Sequence, residues 1–153
     1  MAETIAVSQL PELVGKEYAP TDWLEITQER VDQFADATND HQFIHVDTEK
    51  AGQTPFGGTI AHGYLTMSLL SYFSMQSGVL PEGLVMAVNY GSDKVRYLAP
   101  VPVGKRVRAH MKITDVSEKN PGQWLIRTAV TIEIEAVETP ALVAEILGLF
   151  IVA

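Results

Sequence analysis

The order of apolar and polar positions divides the chain into a helical first half and a stranded second half. Val31, Phe34, Ala35 and Thr38 recur at helical spacing. Thr27 stands ahead of them and Glu29 falls in the first turn, which predicts a capped helix over residues 28–38. Residues 61–77, AHGYLTMSLLSYFSMQS, predict a longer helix with Thr59 as its cap and Gly78 as its stop. Leu65, Leu69, Leu70 and Phe73 make its apolar stripe, and Met67, Tyr72 and Met75 broaden it, the pattern of a buried helix. Between the two, Asp47 or Thr48 starts a short helical turn through Ala51 that Pro55, Gly57 and Gly58 break. Upstream, a short helix over 8–16 ending at Gly15 and an edge strand over 22–26 are expected.

From residue 84 the period becomes two. Leu84, Met86, Val88 and Tyr90 alternate up to Gly91, where a bulge or bend is expected. Val95 and Tyr97 continue the strand, with Lys94 and Arg96 on its other face. Pro100, Pro102 and Gly104 mark a turn. Residues 105–116 alternate Val107, Ala109, Met111 and Ile113 against Arg106, Arg108, His110 and Lys112. Asn120-Pro121-Gly122 is a turn. Residues 123–137 alternate again, and residues 141–152 are apolar on both faces, as in a central strand. Long strands joined by short turns pair antiparallel. The fold class is α+β: one antiparallel sheet around a buried helix, in a single domain over 1–153. Sheet edges need cover, so a homodimer is expected.

Composition narrows the function classes. The 153 residues are 46% hydrophobic and 20% charged, as in ordinary folded chains. With no cysteine, disulfides, thiolate catalysis and cysteine zinc sites are excluded. The net charge of -8 makes nucleic acid a poor partner. No apolar run reaches the ~20 residues of a membrane span, and the N-terminal residues have no basic-then-apolar leader. The expected location is cytoplasmic.

The candidate chemistry lies in residues 37–66. Asp40 and His45 are five apart on a short polar loop and can converge on one water. Histidine exchanges protons near neutral pH, and a carboxyl group can orient it or supply the acid. The start of the 61–77 helix, with free N–H groups and Gly63 admitting close approach, can hold negative charge on a carbonyl oxygen. The spacing alone favours structural or solvated roles over catalysis. Asp40, His41, His45 and Asp47 are residue types that can ligate a metal, but with no matching ligand pair elsewhere no metal is expected.

Those residues carry a resemblance. The run ATNDHQFIHVD, then PFGGTIAHGYLT and NYGSDKVRYLAPVPVGKRVR, resembles the MaoC-like dehydratases, the (R)-specific enoyl-CoA hydratases, and most of all their nodulation protein N-like branch. It covers residues 20 to 150 in order. The resemblance implies a hot-dog fold, a long helix wrapped by an antiparallel sheet and paired as a dimer. It also implies that Asp40 and His45 hold the water that adds to a trans-2-enoyl thioester, giving the (R)-3-hydroxyacyl thioester. The substrate's carbonyl oxygen then falls at the Gly63 amide beside His62. Many relatives carry Asn-Pro where this chain has Gln42-Phe43, a change that bears on pocket shape and chain length. Coenzyme A is the expected carrier, as part of the substrate, with no other cofactor. Lys94, Arg96, Lys105, Arg106 and Arg108 are the local cations for its phosphates, Arg96 foremost, and Phe43, Tyr64 and Tyr72 are candidates to line an acyl tunnel. A hot-dog thioesterase and a non-catalytic acyl-thioester binding module are the alternatives.

Overall fold

A computed structural model describes residues 3–153. Its elements run β1 (Glu3–Ile5), a 3-10 segment (Val7–Leu13), β2 (Leu24–Glu25), α1 (Gln28–Thr38), α2 (Phe43–Val46), α3 (Thr48–Gly52), α4 (Gly63–Ser77), β3 (Val79–Pro81), β4 (Leu84–Tyr97), β5 (Arg106–Asn120), β6 (Gln123–Ile134) and β7 (Leu142–Val152). The five-stranded sheet has the order β2-β5-β6-β7-β4, and β1 and β3 form a small parallel pair. Every neighbouring pair in the larger sheet is antiparallel.

The sheet curls around α4. Leu65, Leu69, Leu70 and Phe73 of the helix are buried in one cluster with Val107, Ala109 and Met111 of β5, Val130 and Ile132 of β6, and Leu142 of β7. The expected alternation in β5 therefore faces the helix. This is the expected α+β hot-dog arrangement, with the helix as filling. A second cluster, Leu10, Leu13, Val79, Ile113 and Ile126, closes one end beneath the 3-10 segment.

The predicted elements appear with instructive differences. Thr27 caps α1 as expected, its Oγ1 accepting from the Arg30 amide at 3.2 Å. Of Asp47 and Thr48, Asp47 caps α3, accepting from the Lys50 amide at 3.0 Å. Thr59 does not cap α4. Its hydroxyl donates to Gln28 Oε1 at 2.6 Å, and His62 is the cap residue. Thr59 is drawn away because Ile60 pairs with Pro102, which holds residues 59–61 extended and delays the helix. Gly78 ends α4 in an extended rather than a left-handed conformation, since β3 starts at once. Its glycine is needed for space: a Cβ there would lie 2.4 Å from the Ser74 carbonyl oxygen.

The 8–16 helix is a 3-10 segment containing Pro11, and the 22–26 strand shrinks to two residues at the sheet edge. Strand β7 lies between β6 and β4, inside the sheet. Strand β4 does not alternate simply. Its register slips at Asn89/Gly91, as Gly91 foretold, and again between Asp93 and Arg96, where Lys94 takes a φ of 51°. The slip at Lys94 was not legible, because a left-handed lysine leaves no periodic trace.

Candidate active site

Asp40 is placed by the end of α1. Asn39 closes that helix in the left-handed region, φ 58°, a conformation asparagine tolerates. The Asp40 amide then donates back to the Ala35 carbonyl at 3.1 Å. Its carboxylate remains half exposed and, among the described residues, accepts only from the Gln42 amide, at 3.3 Å.

His45 sits in α2, a one-turn helix the sequence did not announce. Its ring is 7% exposed. Nδ1 lies 2.7 Å from the Ile60 carbonyl oxygen. A carbonyl only accepts, so Nδ1 carries the proton and Nε2 presents a lone pair. Burial lowers the pKa of His45 below its ordinary value. The neighbouring His62 adds to that effect, while the Ile60 bond and Asp40 oppose it. The result is a neutral imidazole poised to accept a proton. Behind it, Gln28 Nε2 donates to the His45 carbonyl at 2.7 Å and Gln28 Oε1 accepts from Thr59, tying α1, α2 and the 59–61 segment together.

His62 and Gly63 open α4. No side chain caps this helix, so its first-turn amides are available to a ligand. Gly63 borders a cavity of about 410 Å³ together with His45, Phe56, Ile60, Thr66 and Tyr97. The Tyr97 ring packs directly over Gly63. The chain thus sets a base and an N-terminal helix turn at one cavity, with a carboxylate oxygen of Asp40 within 4.8 Å of a His45 ring nitrogen, which is equipment for moving protons beside a polarised carbonyl.

Other predicted residues fall elsewhere. His62, expected at the substrate, is 2% exposed and does not line that cavity. Its Nε2 is engaged with the Asp40 carbonyl oxygen at 2.9 Å and its ring stacks on His45. Tyr64 is 72% exposed and borders a different cavity, about 590 Å³, between α4 and β4. Arg96 is exposed, has no carboxylate partner among the described residues, and donates only to its own Val95 carbonyl. The other expected cations divide. Lys94 pairs with Glu145, Arg106 with Glu135 and Arg108 with Glu133, while Lys105 has no ion pair among the described residues. Phe43 and Tyr72 are exposed and border neither cavity.

The metal set weighed from sequence is not assembled. His41 pairs with Asp36 at 2.8 Å, and Asp47 caps α3. Instead Asp40, His45 and His62 bring ligating atoms within 4.8 Å of one another. The two rings are stacked, centroids 3.8 Å apart at 23°, so their in-plane lone pairs run side by side and do not converge on a point. His45 Nδ1 and His62 Nε2 are also committed to carbonyls. This geometry fits proton transfer better than metal ligation. Gln28, Phe34, Phe56 and Ile60 escaped the sequence reading. Three act through backbone or packing contacts, which leave no residue-type signature, and Gln28 reads as a surface helix residue.

The family model described as a MaoC-like domain matches residues 9–136. The 3-hydroxyacyl-thioester dehydratase Z of Mycobacterium tuberculosis is 46% identical over 140 residues, 92% of each chain. Nodulation protein N of Rhizobium leguminosarum is 40% identical over 141 residues, 92% of this chain and 88% of its own. Among solved structures, the (R)-hydratase of A. caviae involved in PHA biosynthesis superposes with TM-score 0.72 at 25% identity, covering 88% of this chain and 94% of that one. The monoamine oxidase regulatory protein of Archaeoglobus superposes with TM-score 0.81 at 22% identity, covering 100% and 99%, a likeness of fold. A family match across most of the chain, joined to these identities, means that the chain belongs to the MaoC-like dehydratase family and is a hydro-lyase.

Proposed function

We propose that the chain is an (R)-specific enoyl-CoA hydratase, reversibly adding water to trans-2-enoyl-CoA to give (R)-3-hydroxyacyl-CoA. The observation that carries this is the bare Nε2 of His45. Its other nitrogen is held by Ile60, the ring lines a cavity that reaches Gly63, and a carboxylate oxygen of Asp40 lies within 4.8 Å of the imidazole. In the hydrating direction one water lies between the two side chains. His45 Nε2 takes one proton of that water as the hydroxyl adds to C3. The imidazolium passes this proton to the Asp40 carboxylate, which delivers it to C2, so the pair ends as it began and one water has been added. The Gly63 amide and the α4 dipole hold the enolate oxygen as C2 awaits its proton. The reaction draws on these groups and water alone, with coenzyme A entering as part of the substrate. Of the expected cations, Arg96 and Lys105 have no ion pair among the described residues, and Arg96 is the one taken here to meet the carrier's phosphates; Tyr64, next to Gly63, borders the larger cavity and is taken to contact the acyl chain.

The same reading takes the protein as a cytoplasmic homodimer. Among the described residues no helix is long and apolar enough to cross a membrane. Strand β4 is a sheet edge with β7 as its one neighbour in that sheet. It exposes Val85, Met86, Val88 and Tyr90, while Met75 of α4 is 74% exposed. A second copy laid on this face would bury them.

The test is incubation with crotonyl-CoA, following loss of the conjugated double bond, with chiral analysis of the product. Formation of (R)-3-hydroxybutyryl-CoA is expected. Release of free thiol without hydration means a thioesterase, and acyl-CoA binding without turnover means a binding module. Either outcome refutes the reading.

A further inference from the structure

We propose that His62 is a positioning residue whose buried ring holds Asp40 and His45 at their working separation. This rests on the hydratase reading of that pair. The ring is closed to substrate, being 2% exposed and absent from the wall of the 410 Å³ cavity. Each of its contacts is instead with something that sets the dyad. Nε2 lies 2.9 Å from the Asp40 carbonyl oxygen, and since that oxygen only accepts, Nε2 carries the proton. The Asp40 carboxylate is 4.0 Å from the same nitrogen. One ring face stacks on His45 at 3.8 Å, and Phe34 of α1 packs against the ring at 4.9 Å and 55°. The layer Phe34–His62–His45 therefore joins α1, α4 and α2, the three helices that meet at the site.

Asp40 has little else to hold it. Behind it, the chain turns through left-handed Asn39 and one amide bond to Ala35. In front, among the described residues, the carboxylate accepts only the long Gln42 amide contact at 3.3 Å. The bond from His62 fixes the peptide that follows Asp40 and so aims its side chain.

The ring's chemistry argues against a role in packing alone. With Nε2 as donor, Nδ1 is the bare nitrogen, and it is buried without a partner among the described residues. Leaving a buried polar atom unpaired costs about 1–3 kcal/mol, so a phenyl ring would fill this space more cheaply. What phenyl cannot supply is the bond to the Asp40 carbonyl.

Two substitutions separate the terms. His62→Phe keeps the stack and removes the donor, whereas His62→Gln keeps a donor at similar reach and removes the ring. A displacement of about 1 Å at a reacting group can cost 10²-fold. For crotonyl-CoA hydration, His62→Phe is expected to lower kcat by about tenfold or more with KM within threefold and no loss of thermal stability. His62→Gln is expected to recover most of that loss. The Asp40 carbonyl carbon NMR signal should move in the phenylalanine variant and return in the glutamine variant. A kcat for His62→Phe within twofold of wild type, or an unmoved Asp40 carbonyl signal, overturns the proposal. If the phenylalanine variant does not fold, His62→Asn, too short to reach the carbonyl, takes its place. If wild type fails to hydrate crotonyl-CoA, the hydratase reading falls by itself. The Asp40 carbonyl signal then decides whether His62 positions that residue.

Discussion

Replacing Gly63 by alanine separates the cost of a methyl group to the fold from its cost to the reaction. A Cβ at this position would stand 2.9 Å from Tyr97 Cε1, 3.0 Å from Cδ1 and 3.3 Å from Cζ. Carbon atoms in contact prefer about 3.5–4.0 Å, so the ring must retreat by roughly half an ångström to one ångström. Tyr97 can do so, because it is half exposed and its hydroxyl is tied only to Met67 sulfur at 3.6 Å. Alanine in a helix gains up to about 1 kcal/mol over glycine. Mild overpacking costs about 1–3 kcal/mol, and a movable ring puts this case at the low end. The two effects nearly offset, and stability to urea should stay within about 1 kcal/mol of wild type. Activity should not survive as well. In the proposed mechanism the methyl occupies the space in which the thioester oxygen approaches the helix amide, and an error of about 1 Å there costs on the order of 10²-fold in kcat/KM. Crotonyl-CoA hydration and urea melts on the same preparations measure both. A Gly63→Ala enzyme within threefold of wild-type kcat/KM would refute the placement of the carbonyl at Gly63. Restored activity on adding Tyr97→Leu would refute it too, by moving the cause to the displaced ring.

Asp40→Ala and His45→Ala should each lower hydration by at least about 10²-fold with an unchanged circular dichroism spectrum, since proton transfer is worth roughly 10²–10⁴-fold. In the proposed mechanism His45 acts as a neutral base, and burial lowers its pKa from 6.5, so the acidic limb of kcat/KM should fall below pH 6.5. By the same sign, the stability gained from burying it neutral is present above pH 6.5 and is lost as pH drops through the lowered value, which urea melts against pH will read. Gly78→Ala should destabilise the fold by about 1–3 kcal/mol in urea, because the Ser74 carbonyl it strikes belongs to rigid helix backbone. Val88→Lys on the exposed edge strand should shift the protein toward monomer in light scattering after size exclusion, and an unchanged mass would place the interface elsewhere.

What the residue pattern settled by itself was local. Thr27, Asp47 and the 3.6-residue period placed α1, α3 and α4 because caps and amphipathic spacing act within one or two turns of chain. The two-residue period of β5 and β6 told which side chains face the core, because the pleat alternates whatever the neighbouring strand is. Asp40 and His45 stood out once the surrounding run was seen to resemble a family, since five residues of spacing alone is compatible with any polar loop. Tertiary structure decided the rest. Arg108 and Glu133 sit opposite one another in the β5–β6 register, so a cation that looked free for phosphate is spent within the sheet. The Ile60 carbonyl selects the tautomer of His45 across 15 residues, and His62 reaches Asp40 across 22. A carbonyl oxygen is present at every residue, so its use as a partner is written only in the path of the folded backbone. That is why the candidate acid and base could be singled out from the chain, and their tautomers and backbone contacts only from its folding.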